Sequence, residues 1–202
     1  MSGVDLIPFA VFAMAMIGTP GPANMVLLTA GARFGLRPAL PFVAGVVLGK
    51  QLVIWPMGFG LLAVIAEWPW LFVTLKYASV AYILYLAWRI AGARIAPGAA
   101  PASPPPLVDG LIVHPLNPKA WAMISTGFTS YVASGTPPLT ATLAIAGCLL
   151  AVQIVLHPLW CWGGERLAAA ISGQRAERVL MLTLAGLTVA SVLLVLLRGE
   201  SP

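Results

Sequence analysis

The chain has 202 residues, 60% of them hydrophobic and 8% charged, with a formal charge of +5 and a mean hydropathy of +0.95. A soluble domain carries about 25% charged residues, so the composition excludes an aqueous globular protein and reads as an integral membrane protein. The basic residues lie between apolar runs. That pattern sets membrane orientation and excludes a nucleic-acid footprint.

Six apolar spans are predicted, at about 4–31, 38–66, 70–91, 107–133, 138–163 and 179–197. Each meets the requirement of about 20 apolar residues for a spanning helix. The first begins M-S-G-V-D, with no Lys or Arg ahead of the apolar run, and reads as a retained span instead of a cleaved leader. It is interrupted at residues 19–24 by Thr19, Pro20, Gly21, Pro22, Ala23 and Asn24. Proline cannot donate a helix hydrogen bond and clashes with the preceding turn. In hydrocarbon, backbone groups freed in this way persist only where protein or a wet cavity surrounds them. A half-helix restarting at Pro22 would turn unpaired N–H groups toward the break and attract an anion such as a carboxylate. The alternative is a packing kink. The run Gly31, Ala32, Arg33, Phe34, Gly35 is expected to be a short cytoplasmic turn.

In the second span Lys50 follows G-V-V-L-G. A charge at the bilayer centre costs about 2.5–3.5 kcal/mol on insertion scales, so Lys50 should face a cavity or a partner, with snorkelling as the alternative. Gly45 and Gly49 share one helix face and allow close approach, either within the chain or in a homodimer. After the third span, residues 96–106 form an Ala/Pro linker with no apolar periodicity, expected to be extended or disordered. It separates residues 1–95 from 107–202, three spans each. An odd number of crossings makes the second half an inverted repeat of the first, an architecture common in secondary carriers.

The fourth span carries the partner break, H-P-L-N-P-K at residues 114–119. Asn117 can cap a helix restarting at Pro118. Lys119 then lies in the first turn, where the helix dipole disfavours a cation; a bound anion would relieve this, or Lys119 snorkels to the interface. In the fifth span Gln153 and His157 are one turn apart, followed by Trp160. An intramembrane histidine is a proton-relay candidate, or a neutral bridge between helices.

Cys148 and Cys161 fall in one predicted helix, roughly 20 Å apart, and cannot bridge each other. That argues against a membrane thiol oxidoreductase. No Cys/His spacing suggests a metal site, and no Walker loop or nucleophile elbow is present, so no catalytic residue, metal or cofactor is expected. The six acids, Asp5, Glu67, Asp109, Glu165, Glu177 and Glu200, all avoid the middle of a span. Coupled protons would therefore have to be carried by His114, His157 or Lys50, and the site suits a carboxylate better than a bare cation.

Arg33, Arg37, Arg89, Arg94, Arg166, Arg175 and Arg178 fall on one face, read as cytoplasmic by the positive-inside rule. Both termini are then periplasmic, unless the fourth span is re-entrant and one terminus changes side. Trp68 and Trp70 mark the outer interface, Trp88 and Arg89 the inner one.

The stretches T-P-G-P-A-N-M-V-L-L-T-A-G-A-R-F-G-L-R, G-V-V-L-G-K, L-K-Y-A-S-V-A-Y-I-L-Y-L-A-W-R and L-N-P-K-A-W together resemble the lysine-exporter (LysE/RhtB) family. The resemblance covers nearly the whole chain. It implies a bacterial inner-membrane exporter of amino acids or close derivatives, driven by the membrane gradient, with Pro20, Gly21, Pro22, Asn24, Asn117, Pro118 and Lys119 at a central site. Family members often have a small polar or acidic residue near Lys50, and many have D-x-x-W where this chain reads His157, Pro158, Leu159, Trp160. Basic residues at both positions turn the expectation from a cationic substrate toward a neutral, acidic or acylated amino acid.

The expectation is thus an all-α carrier of two inverted three-helix repeats. Its candidate binding residues are Thr19, Pro20, Gly21, Pro22, Asn24, Lys50, His114, Asn117, Pro118, Lys119, Gln153, His157 and Trp160. Its partners would be an amino-acid-like small molecule, membrane lipid and, as candidates, protons and a second copy of the chain. A pore or a helical interaction protein is the rival class.

Overall fold

The computed structural model describes residues 3–61, 69–92, 103–171 and 174–197. Prolines and glycines set most of the helix ends. Helix α1 (Leu6–Gly18) stops because Pro20 biases Thr19 to an extended conformation (φ −80°, ψ 147°). Helix α2 (Pro22–Phe34) restarts with proline in the first turn, where no N–H is needed. The two are bent by 55° at the break. Only Gly35 then separates α2 from α3 (Leu36–Pro56), at φ 80°, an angle glycine adopts without strain. The turn expected over residues 31–35 is therefore a correction: the helix runs on through Phe34 and the link is a single residue.

Helix α3 contains Pro41 and continues into a π-helical turn, Met57–Leu61. Helix α4 spans Pro69–Gly92. The second half has α5 (Leu107–Val113), α6 (Pro118–Tyr131), α7 (Pro138–Ala169) and α8 (Gln174–Leu197). Each half thus runs in the order broken pair, long helix, further helix. The long α7 passes Pro158 and extends past the predicted end at 163. Residues 96–102 of the linker, with Glu67, Trp68, Arg94 and Glu200, lie outside the described residues.

Among the described residues, Leu36–Leu61 and Pro138–Ala169 are each long and apolar enough to cross a membrane, and the bent α1–α2 pair makes a third candidate. Helices α5 and α6, with 7 and 14 residues, reach only about 10 and 21 Å, short of a hydrocarbon core of about 30 Å. The fourth predicted span is thus two short pieces around its break. The exterior is apolar, with Ile7 81% and Trp88 71% exposed, as lipid-facing helices require.

The two halves interlock through glycines. A Cβ on Gly45 would strike the Leu107 carbonyl, one on Gly49 the Leu111 carbonyl, and one on Gly110 the Phe42 carbonyl, so α3 and α5 cross backbone to backbone. The glycine face of α3 is spent inside the chain. Gly31 against the Cys161 carbonyl and Gly164 against the Leu28 carbonyl do the same for α2 and α7. At the other end, Asp5 N donates to the Tyr131 carbonyl (2.9 Å) and Ala133 N to the Gly3 carbonyl (2.9 Å).

Apolar packing forms two clusters. One gathers Val26, Leu27, Phe42, Val46, Ile83, Leu86, Val113 and Cys161. The other gathers Phe9, Ala13, Ile17, Val53, Ile54, Ile124, Ile145 and Leu149. Lys50 lies between Val46 and Val53 on α3, and Gln153 and His157 lie between Leu149 and Cys161 on α7. His114 and Asn117 lie between Val113 and Ile124. A polar layer therefore separates the clusters, and both helix breaks are in it.

Candidate functional site

A broken helix frees carbonyls at its end and N–H groups at its restart, and side chains satisfy several of them here. At the first break, Asn24 Nδ2 donates to the Ile17 carbonyl (2.6 Å) and the Thr19 carbonyl (2.8 Å). Trp160 Nε1, from α7, also donates to the Ile17 carbonyl (3.3 Å). At the second, Asn117 Oδ1 accepts from Lys119 N (3.1 Å), capping α6 as expected, and Trp121 Nε1 donates to the Pro115 carbonyl (2.9 Å). Each break thus uses one asparagine and one tryptophan.

The breaks face each other. Lys119 Nζ donates to Thr19 Oγ1 (2.8 Å), with the Thr19 and Pro20 carbonyls at 3.4 and 3.5 Å. Its backbone sits at the positive end of α6, but its ammonium reaches the negative end of α1, where a cation is favoured. This explains a lysine in a first helical turn. A Cβ on Gly21 would lie 3.2 Å from both Cδ and Nζ of Lys119, so glycine makes room for the bridge.

Beside the bridge lies a cavity of about 30 Å³. Its polar wall is Asn24, Lys50, His114, Asn117, Lys119 and His157, with Gly21 at the break. Met16, Ile17, Ala23, Ala120 and Met123 complete it. Lys50, His114 and His157 are 2%, 3% and 1% exposed. The His114 and His157 rings stack with centroids 5.4 Å apart and 21° between planes. Gln153 Nε2 lies 3.4 Å from His157 Nδ1; if Gln153 donates, that nitrogen accepts and the ring proton sits on Nε2. Both ring nitrogens of His114, and Gln153 Oε1, are buried without a hydrogen-bond partner. Among the described residues, no acidic side chain lines the cavity. The arrangement is donor-rich and cationic, with two helix N-termini beside it, and suits an anion.

Of the sequence-predicted residues, Gly21, Asn24, Lys50, His114, Asn117, Lys119 and His157 share this cavity. Thr19, Pro20, Pro22 and Pro118 form the backbone of the breaks. Gln153 bonds to His157 from one turn away, and Trp160 braces the end of α1. The apolar wall was missed; Met16 and Ile17 just before the first break, and Ala120 and Met123 just after the second, follow from helical spacing once the breaks are known to meet. Glu165 was also passed over: its Oε2 accepts from Leu36 N (3.0 Å), tying α7 to the start of α3. Cys161 belongs to one apolar cluster and Cys148 packs against the other, and neither forms a disulfide.

The family described as LysE type translocator matches residues 14–199. Among similar proteins is a cysteine/O-acetylserine efflux protein of Klebsiella pneumoniae, 25% identical over 160 residues, covering 78% of this chain and 80% of the relative. A homoserine/homoserine lactone efflux protein of Salmonella typhimurium is 26% identical over 167 residues, covering 80% and 81%. A cysteine/O-acetylserine efflux protein of Salmonella choleraesuis is 27% identical over 168 residues, covering 82% and 85%. No solved structure matches the chain.

Proposed function

Because the chain belongs to the LysE type translocator family, we propose that it exports an amino acid or close amino-acid derivative across the bacterial inner membrane. It does so as a secondary carrier, not an enzyme, with the substrate held between the two helix breaks. The efflux relatives support the transport class. One structural observation carries the site: the two breaks meet at a small cavity lined by Lys119 and by the buried Lys50, His114 and His157.

In this reading the broken pair, long helix and further helix of each half form three-helix repeats of opposite orientation, with both termini periplasmic. One repeat rocks against the other around the fixed site. At about 30 Å³ the cavity has room for about one or two waters, well below a ligand pocket of roughly 300 Å³. A centre this narrow suits a carrier better than a standing pore. His114 and His157 are the residues through which protons would couple to transport.

The test is counterflow in proteoliposomes with a panel of radiolabelled amino acids and derivatives, comparing wild type with Lys50→Ala. Saturable exchange of one class, lost in the variant while the protein stays folded, supports the reading. Ion currents without saturation would replace it with a pore.

A further inference from the structure

The donors and acceptors around the central cavity decide which amino-acid derivatives the site can take when it widens. An ammonium substituent needs acceptors, and a carbonyl oxygen offers two lone pairs. The Ile17 carbonyl already takes Asn24 Nδ2 and Trp160 Nε1. The Thr19 carbonyl takes Asn24 Nδ2 and the Lys119 ammonium. The Pro115 carbonyl takes Trp121 Nε1, and Asn117 Oδ1 takes Lys119 N. What remains is neutral: a second lone pair on the Pro115 carbonyl and on Asn117 Oδ1, and Asn24 Oδ1, whose amide nitrogen is committed to the two carbonyls; both ring nitrogens of His114 are buried without a partner.

Donors are plentiful. The Lys50 side chain is buried, no carboxylate among the described residues lines the cavity, and Asn117, whose side-chain oxygen accepts from Lys119 N, also lines it. A carboxylate finds partners here at once. A free α-ammonium would enter as a third cation beside Lys50 and Lys119, with no charged acceptor to receive it.

Resting on the exporter reading, we propose that this site takes amino-acid derivatives whose α-nitrogen carries no charge, N-acylated amino acids being the class that fits. Lys50 binds the carboxylate. The neutral amide N–H matches the Asn24 Oδ1 acceptor, and the acyl oxygen matches the Asn117 amide donor. The apolar wall of Met16, Ile17 and Met123 takes the side chain.

The experiment is counterflow into proteoliposomes of the intact protein with matched pairs: serine, methionine, leucine and glutamate, each free and N-acetylated, together with O-acetylserine. The expected result is an initial rate at least tenfold higher for N-acetylated members. His157→Asp, which adds a carboxylate to the wall, should move that ratio at least tenfold toward the free forms. If free amino acids exchange as fast as, or faster than, their N-acetylated partners, or O-acetylserine as fast as N-acetylserine, the exporter reading stands and this proposal is overturned. If no compound of the panel moves, the exporter reading falls, and the proposal with it.

Discussion

The Lys119 ammonium donates to the Thr19 hydroxyl across 2.8 Å, so a residue of the second half closes the helix break of the first. Any motion that separates the two breaks must lengthen this bond. Thr19 is exposed and Lys119 only half-buried, so the bond contributes on the order of 1 kcal/mol, small enough for the two breaks to part during transport. Lys119→Met should therefore reduce transport at least tenfold, while Thr19→Val, which removes only the hydroxyl partner, should reduce it less. Counterflow rates check both. Equal and full activity in the two variants would show that the bridge plays no part.

Lys50 sets stability against function. It is 2% exposed and no carboxylate lines the cavity beside it. Burying an unpaired charge is costly, and methionine fills a similar shape without one. Lys50→Met should raise the melting temperature of the detergent-purified protein, by a stabilisation on the order of 2 kcal/mol, while abolishing transport. A stability–activity trade-off of this kind is usual where a site is held under strain. A fall in melting temperature together with lost transport would instead assign Lys50 a structural role.

Much of this site was legible in the sequence because its signals are local. Proline fixes where a helix must stop, so Pro20, Pro22 and Pro118 announced both breaks, and Asn117 its own cap. Lys50 stood out because a charge among apolar neighbours needs a reason. The route of Lys119 was not legible. Its backbone position pointed to a bound anion or the interface, and only the meeting of two segments 100 residues apart reveals the Thr19 hydroxyl and the neighbouring carbonyls as partners for its ammonium. The same holds for Trp160, whose partner Ile17 is 143 residues away. Gly45 and Gly49 announced close packing but not its partner, since small residues carry no information about what approaches them. The 31–35 stretch was misread because a basic residue flanked by glycines looks like a turn, whereas Gly31 serves a helix crossing and only Gly35 makes the turn.

Asn24 holds the first break together. Its amide nitrogen serves both the Ile17 and Thr19 carbonyls, which proline-driven termination of α1 leaves without helical donors. Removing it takes one donor from each carbonyl, at about 0.5–1.5 kcal/mol each, while Trp160 still reaches Ile17 and Lys119 still reaches Thr19. Asn24→Ala should lower the melting temperature clearly, and Asn24→Ala with Trp160→Phe by more than the sum of the single changes, because Ile17 then loses both donors. Thermal unfolding of the four proteins tests this. Simple additivity would mean that other groups satisfy the carbonyl.

The α3–α5 crossing makes the sharpest prediction about folding. A side chain at Gly49 meets the backbone of Leu111, which cannot rotate away as a flexible side chain would. Overpacking in a well-packed interior typically costs about 1–3 kcal/mol, and a backbone obstacle should put this case at or above the top of that range. The neighbour Leu48 is 48% exposed on the outer face of the same helix. Gly49→Leu should thus sharply reduce the monodisperse, folded fraction in size-exclusion chromatography, while Leu48→Ala leaves it nearly unchanged. Displacing α5 also displaces His114, which follows it directly, so any Gly49→Leu protein that does fold should transport poorly. If Gly49→Leu purified and transported like wild type, the backbone-to-backbone crossing of α3 and α5 would be wrong, and with it the placement of His114 beside Lys50.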